Sequence, residues 1–413
     1  MATLRPFIAY RPRPEFAAEV AARPYDVLDS DEAREEVKGH PYSFLHVGKP
    51  EVDLDPSINL HDPRVYEKGK ENLQKLIHDG ILIPDTAPCL YVYAQTMNGR
   101  TQYGIVGCAS VEEYWNGTIK KHELTRKDKE EDRCNHVRVT NSHSGPIFLI
   151  YPDDTPINEI VARTVTHPPV NDHAAVDGIR HQSWVIDDQK DITALTNRFA
   201  AAPHLYIADG HHRSAAASTV GRERKAANPH HHGDEEYNFF LAVAFPASQL
   251  RIMDYNRLVK DLNGLTSDQF FTRCKEHFTV QPASEQVHPG KKGDIGVYLE
   301  KKWYTLSASP SISNNPDSVL RLDVSVLQYY LLDPILGIKD PRTDKRIDFV
   351  GGIRGLSELE RRVDSGEMAI AFTLHPTSIH ELISIADAGK IMPPKSTWFE
   401  PKLRDGLFVH LLD

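Results

Sequence analysis

Apolar residues recur along the chain in short runs separated by polar turns, a pattern typical of alternating strands and helices. The clearest pair of runs, residues 90–94 and 103–107, flanks the dipeptide Asn98-Gly99. Because Asn and Gly tolerate the positive φ angles of a tight turn, this arrangement predicts a β-hairpin. Further short apolar runs predict further strands at residues 147–151, 183–186, 205–208, 239–245 and 369–374.

Polar residues at characteristic spacings predict where helices begin. Three pairs have the three-residue spacing of a capping box, namely Asp29 with Glu32, Thr266 with Gln269, and Ser378 with Glu381. Apolar residues on one face predict a helix over residues 64–78, and an Ala-rich composition predicts another over residues 214–224. The charged segment 122–138 predicts a helix or an ordered surface loop.

These elements together predict an α/β fold. At 413 residues the chain is longer than a single core usually grows, so we expect two domains, residues 1–250 and 251–413. Hydrophobic residues make up 40% and charged residues 26%, which is ordinary for a globular enzyme. The net charge of −10 disfavours nucleic acid as a partner, but a small anionic ligand needs only a local positive pocket.

The distribution of apolar residues and cysteines predicts a cytoplasmic protein with no membrane partner. The first residues are not followed by an apolar run, which disfavours a secretory signal. No apolar run in the chain approaches the roughly 18 residues of a membrane span. The four cysteines are scattered without a Cys-x-x-Cys pair, which disfavours a zinc ribbon or a disulfide framework.

The segment with the strongest chemical signal is Asp209-Gly210-His211-His212-Arg213. It follows a predicted strand and opens a predicted helix, and a helix N-terminus offers free N–H groups to a phosphate. Arg213 can make a two-pronged contact to phosphate oxygens, and the histidines add donors. Asp209, at the carboxyl end of the strand, can hold Mg²⁺ or orient a hydroxyl. The alternative is a strand-to-helix turn whose polar residues merely cap it.

Two common nucleotide-binding patterns, the Walker loop and the Gly-x-Gly-x-x-Gly turn, do not occur in the chain. Two weaker candidates lie elsewhere. Glu123, flanked by a histidine and by cations, is a candidate general base, with a solvated charged face as the alternative. Lys395 and Thr397 follow two prolines and offer a cation and a hydroxyl to a substrate carboxylate, with an ordinary surface turn as the alternative.

Five motifs in this order resemble one prokaryotic family, filed as domain of unknown function 1015. The motifs are Arg5-Pro6-Phe7, Pro24-Tyr25-Asp26-Val27, His122-Glu123-x-Thr125, Tyr206-Ile207-Ala208-Asp209-Gly210-His211-His212-Arg213 and Met392-Pro393-Pro394-Lys395-Ser396-Thr397-x-Phe399-x-Pro401-Lys402. The chain departs from the usual family pattern at Leu124, where arginine is common, and over residues 141–145.

The histidine loop of that family in turn resembles the loop of ParB and sulfiredoxin-type nucleotide-binding proteins, among them the free L-serine kinases. The resemblance implies a ParB/sulfiredoxin-like core with a C-terminal α/β part that completes the cleft. It implies phosphate and metal binding by residues 209–213, with catalytic roles for Asp209 and His212. It also implies that Glu123 acts as the base, and that Lys395 and Thr397 contact the amino acid.

The resulting prediction is a Mg²⁺-dependent kinase that converts L-serine to O-phosphoserine, with ATP, ADP or pyrophosphate as the donor. Two alternatives stay open. One is a ParB-like nucleotide-binding regulator or NTPase without a small acceptor, and the other is a kinase of a different hydroxylated metabolite.

Overall fold

The structure is a computed structural model that describes residues 1–413, and it is a mixed α/β protein. Its strands are β1 (Leu4–Arg5), β2 (Tyr10–Pro12), β3 (Leu82–Pro84), β4 (Leu90–Met97), β5 (Arg100–Ser110), β6 (Ile119–Lys120), β7 (Ser142–His143), β8 (Ile147–Tyr151), β9 (Asn171–Ala174), β10 (Arg180–Ile186), β11 (Leu205–Asp209), β12 (Phe239–Pro246), β13 (Ile252–Met253), β14 (Tyr255–Val259), β15 (Phe278–Ala283), β16 (Asp294–Leu299), β17 (Lys302–Ala308), β18 (Ile347–Gly351), β19 (Ile370–Leu374), β20 (Trp398–Phe399) and β21 (His410–Leu411).

The α-helices are α1 (Ala17–Val20), α2 (Ser30–Glu36), α3 (Leu45–Gly48), α4 (Pro63–His78), α5 (Val111–Asn116), α6 (Lys127–Thr140), α7 (Thr155–Thr164), α8 (Gln189–Ala201), α9 (His211–Ala227), α10 (Ser267–Cys274), α11 (Pro310–Ser313), α12 (Asp323–Leu327), α13 (Leu356–Asp364) and α14 (Ile379–Asp387). None of them combines the length and the apolar composition needed to cross a bilayer.

The chain divides into two compact units. The first comprises Met1–Lys121, Thr125–Leu250 and Pro401–Asp413, and the second comprises His122–Leu124 and Arg251–Glu400. The sequence predicts one domain over residues 251–413, whereas the last of these residues belong to the first unit. The backbone explains the difference, because β21 pairs with β7, and Val409 pairs with Tyr10.

The first unit is built on a nine-stranded mixed sheet with the order β6-β11-β8-β12-β5-β4-β10-β9, in which β1 pairs with β5. The pairs β11–β6 and β12–β8 are parallel, and the other pairs are antiparallel. A core of apolar side chains, among them Val92, Ile105, Leu149 and Phe199, is fully buried in this unit. Burial of such apolar surface is the main source of stability of the sheet.

The predicted hairpin is confirmed as β4 and β5, which pair from Tyr91–Val106 to Met97–Arg100. Asn98 and Gly99 have φ angles of 51° and 75°, as a tight primed turn requires. The predicted helix over residues 64–78 is confirmed as α4. All three predicted capping boxes are also confirmed, at the N-termini of α2, α10 and α14.

The second unit contains a six-stranded sheet with the order β15-β17-β16-β19-β14-β18. All of its strand pairs are antiparallel. A short pair, β13 with β20, joins the two ends of the long segment of this unit. The buried cluster of this unit includes Leu258, Tyr298, Leu359 and Ala371.

Candidate functional site

The first unit places the predicted loop directly at the end of β11. The pairing of β11 with β8 shifts register between Ile207 and Asp209, so Asp209 lies opposite Phe148. Irregularities of this kind redirect the last side chain of a strand. Asp209 is therefore the last residue of a buried strand, with a side chain that retains 27% exposure.

Gly210 makes the turn from β11 into α9. Its φ of 88° lies in the left-handed region, which glycine adopts without steric cost. The helix consequently begins at His211, so His212 and Arg213 lie in its first turn, as the strand–glycine–helix pattern predicts, and it continues through the Ala-rich residues 214–224. The N–H of Ser214 donates to the carbonyl of Gly210, which leaves the earlier amides at the helix N-terminus outside the helical bonding pattern.

The carboxylate of Asp209 is bound on both oxygens. Its Oδ1 accepts the N–H of Gly210 at 2.9 Å, and its Oδ2 accepts from Nζ of Lys402 at 3.0 Å. Burial alone would raise the pKa of Asp209, but the charges of Lys402 and Arg213 and these hydrogen bonds hold it well below its usual range. Asp209 is therefore an anion whose charge is balanced by a lysine from the far end of the chain.

The contacts of Asp209 bear on the predicted Mg²⁺ site. A carboxylate is the ligand type that Mg²⁺ prefers. Here, however, the ammonium group of Lys402 already occupies the position beside Oδ2 that a cation would take. The side chain of Asp209 therefore does not fit a metal ion while Lys402 is bound to it.

The two histidines of the loop have different surroundings. His211 is buried, with 8% exposure, in the first turn of α9. The Nε2 atom of His212 accepts the backbone N–H of Arg126 at 3.1 Å, at the residue that precedes α6. This contact fixes the tautomer of His212, because an accepting Nε2 places the ring proton on Nδ1.

Arg213 folds back toward the loop. A Cβ atom on Gly210 would lie 3.2 Å from Nε of Arg213, so the guanidinium passes close to the turn. Its Nη1 donates to the carbonyl of Pro146 at 2.8 Å and lies 3.7 Å from Oδ1 of Asp405. The side chain is 10% exposed, and its Nε has no hydrogen-bond partner.

A small cavity in the first unit lies next to Arg213. The centre of a water molecule can occupy about 40 Å³ of this cavity. The side chains and backbone around it come from distant segments of the sequence, and they include Tyr25, Gly48, Arg133, His136, His143, Ser144, Gly145, Arg213 and Asp405. The cavity is therefore a product of the tertiary fold rather than of any one motif.

The sequence pattern of one protein family matches most of the chain. The family described as "Protein of unknown function (DUF1015)" matches residues 4–325. The chain belongs to this family. The predicted resemblance is thereby confirmed, and four of its five motifs lie within the matched residues.

Solved structures offer distant neighbours of this DUF1015 protein. A conserved hypothetical protein from Pyrococcus furiosus has a TM-score of 0.36 and 14% identity, over 75% of this chain and 95% of that one. A mutant free serine kinase in complex with AMP has a TM-score of 0.39 and 14% identity, over 75% and 92%. SbnI with a C-terminal truncation, from Staphylococcus aureus, has a TM-score of 0.38 and 11% identity, over 74% and 87%. TM-scores below 0.5 do not establish a common fold. No curated protein matches the chain.

The remaining predicted site residues of the DUF1015 protein lie in the second unit. Glu123 belongs to the short segment His122–Leu124, and Lys395 and Thr397 belong to Arg251–Glu400. Nε2 of His122 lies 3.3 Å from Oγ1 of Thr397, so the second unit brings the neighbour of Glu123 next to Thr397. Lys395 has a φ of 58°, and its carbonyl accepts from Arg257 at 2.8 Å.

Sequence reasoning missed two residues that contact the loop, Lys402 and Asp405. Lys402 is part of the last family motif, but its position in the motif does not indicate which side chain it pairs with. Asp405 follows the motif and carries no signal of its own. Each is more than 190 residues in sequence from the loop residue that it faces, and only the tertiary fold brings them together.

Proposed function

We propose that this protein is a phosphotransferase that acts on the hydroxyl of a free amino acid, with L-serine as the acceptor and O-phosphoserine as the product. The observation that carries the proposal is the arrangement of two cations around the turn into α9. Lys402 is fixed by Asp209, and Arg213 passes beside Gly210.

This arrangement suits a phosphoryl group. Helix N-termini attract phosphate through their free N–H groups and the helix dipole. Lysine and arginine add charge-assisted hydrogen bonds. Phosphoryl transfer depends mainly on alignment and on neutralising charge, and these groups provide both.

The ParB/sulfiredoxin-like description of the core is part of the same proposal, and so is a nucleotide or pyrophosphate donor. Mg²⁺ would be held chiefly by the donor phosphates, since it is usually bound by substrate phosphates with one or two carboxylates. The proposed roles of Glu123 as the base, and of Lys395 and Thr397 as amino-acid contacts, come from the family resemblance and are tested by variants.

The decisive experiment incubates the purified full-length protein with Mg²⁺, labelled L-serine and, in turn, ATP, ADP or pyrophosphate. Phosphorus NMR then detects O-phosphoserine. The proposal expects serine-dependent loss of one donor and an equal gain of phosphoserine. Donor loss without serine would identify a nucleotide-hydrolysing regulator. The same incubation is then repeated with a panel of other hydroxylated metabolites, and donor loss that requires one of them would identify another kinase.

Variants separate the proposed roles. Glu123→Gln is expected to retain donor binding and to stop turnover, whereas Arg213→Ala is expected to abolish donor binding. Lys75→Met is a suitable control, since it breaks an exposed lysine–aspartate pair at the C-terminal end of α4. Full turnover of Glu123→Gln would show that the base is a different group.

A further inference from the structure

The cavity beside Arg213 holds two buried groups of opposite charge that are not in hydrogen-bond contact. Nη1 of Arg213 is 3.7 Å from Oδ1 of Asp405, beyond hydrogen-bond distance. Nε of Arg213 and Oδ1 of Asp405 are both buried without a hydrogen-bond partner. Buried polar groups are normally paired, so this combination indicates a ligand that supplies both an acceptor and a donor.

Asp405 is almost completely buried, with 5% exposure. Burial raises its pKa to about 7, against the opposing charge of Arg213, and the negative charge of Asp26 adds to the rise. A cationic group placed at Oδ1 would offset this cost of burial. The carboxylate therefore suits a positively charged partner.

The other polar side chains of the cavity wall are arginine, histidine, tyrosine and serine, and the remainder of the wall is apolar. Arg133 lies over the ring of Tyr25, with 4.1 Å between Cζ and the ring centroid, and its Nε and Nη2 are bound to Asp132. The Nε2 atom of His136 is paired with the carbonyl of Val47. Arg213 is thus the cation of the cavity whose charge is least satisfied, and it suits a carboxylate.

We propose that this cavity binds the charged head group of a small α-amino acid, with its carboxylate on Arg213 and its ammonium on Asp405. The assignment rests on the proposed function and takes Arg213 and Asp405, in place of Lys395 and Thr397, as the contacts of the head group. The guanidinium of Arg213, which passes Gly210 and also lines the cavity, would then lie between the donor phosphate at the turn and the carboxylate of the amino acid. The centre of a water-sized sphere can occupy about 40 Å³ of the cavity, which is more than the roughly 10–15 Å³ that one water needs.

Gly145 keeps the carboxylate of Asp405 accessible. A Cβ atom on this residue would lie 2.8 Å from Oδ1 of Asp405, closer than unbonded atoms approach. Gly145→Ala is therefore expected to displace Asp405 and to weaken amino-acid binding at least about tenfold, as loss of a charge-assisted hydrogen bond does.

The test measures binding by calorimetry with the full chain and no phosphate donor. L-alanine carries both head-group charges, whereas propionate lacks the ammonium and ethylamine lacks the carboxylate. Alanine has no hydroxyl to phosphorylate, so its binding is independent of any transfer reaction. The proposal expects alanine and serine to bind at least about tenfold more tightly than propionate or ethylamine.

Protein variants locate the site. Asp405→Asn should weaken alanine binding at least about tenfold and leave propionate binding unchanged, since propionate has no group for Asp405 to contact. Glu113→Gln is the matched control, because it also converts a buried carboxylate of the first unit into an amide. Lys395→Met tests the competing prediction that Lys395 holds the amino acid.

The possible outcomes are distinct. Equal affinity for alanine and propionate would overturn the proposal without any variant, and so would a loss of alanine binding in Lys395→Met but not in Asp405→Asn. Alanine binding without phosphoserine formation from any donor would uphold this assignment and refute the proposed kinase activity.

Discussion

Nζ of Lys402 lies 3.0 Å from Oδ2 of Asp209, although the two residues are 193 positions apart in the sequence. The pair joins the end of β11 to the segment Pro401–Asp413 of the same unit. The same segment carries Asp405, which faces Arg213. One short stretch of chain thus places a group of opposite charge beside each charged end of the predicted loop, and this relationship has measurable consequences.

Removal of the lysine should unbalance the loop. In Lys402→Met, Asp209 keeps its negative charge in a largely buried position, so we expect a loss of about 1–3 kcal/mol in the free energy of unfolding. Urea unfolding measures it. Adding Asp209→Asn to Lys402→Met should restore part of the loss, since the neutral amide needs no counter-charge. Equal free energies of unfolding of the single and double variants would show that the charges of Asp209 and Lys402 do not stabilise each other.

Gly210 offers a test of the turn itself. Gly210→Ala puts a side chain at a φ of 88° and 3.2 Å from Nε of Arg213, so both the backbone and the arginine should be strained. We expect a loss of about 1–2 kcal/mol from the backbone alone and a further loss of nucleotide binding, measured by calorimetry.

Gly117→Ala is the matched control for this change. Gly117 has a φ of 82°, but a Cβ atom there would meet nothing within 4 Å. Gly117→Ala should lower the free energy of unfolding by the same amount as the backbone strain in Gly210→Ala, and it should leave nucleotide binding unchanged. If Gly210→Ala and Gly117→Ala bound nucleotide equally well, the orientation of Arg213 would not contribute to nucleotide binding.

The segment after Glu400 should be required for folding of the first unit. It contributes five side chains with 3% exposure or less, Leu403, Leu407, Phe408, Val409 and Leu412. Each stabilises the fold by roughly 1.5–3 kcal/mol, and together they rival the whole free energy of unfolding of a typical domain. A chain ending at Glu400 should lack the near-ultraviolet circular dichroism of the full chain, whereas removal of the exposed Asp413 alone should leave that signal nearly unchanged.

Asp323 should make the stability of the second unit depend on pH. Its Oδ1 accepts the N–H of Gly293, its Oδ2 has no partner, and burial raises its pKa to about 7 from 3.8. The folded state therefore binds a proton more tightly than the unfolded state, and stability falls as the pH rises from about 4 to about 7. Asp323→Asn removes this dependence.

Asp323→Asn should therefore be more stable than the unaltered protein above pH 7, by up to about 4 kcal/mol at about 1.4 kcal/mol per pKa unit. The difference should shrink toward pH 4, and urea unfolding at pH 4, 6 and 8 checks it. Glu276→Gln, at an exposed position, is the control. Its free energy of unfolding should differ from that of the unaltered protein by the same amount at all three pH values. A stability difference for Asp323→Asn that grows as the pH falls would show that the pKa of Asp323 is not raised.

Local sequence patterns were sufficient for the elements whose causes are local. The turn at Asn98-Gly99 follows from the φ angles that these two residues tolerate, and the capping boxes follow from side chains that reach backbone amides three residues away. The loop at Asp209 was recognisable for the same reason, because its strand, its glycine and its helix are consecutive.

Contacts between distant segments were decided only by the tertiary fold. The sequence alone determined an α/β protein with a strand–glycine–helix turn after β11, since short-range backbone preferences specify both. It did not determine that Lys402 would neutralise Asp209, or that Asp405 would lie opposite Arg213 across a cavity lined with Gly145. Charge pairing over such separations depends on which strands become neighbours, and that choice is made by burial of the whole apolar core rather than by any one segment.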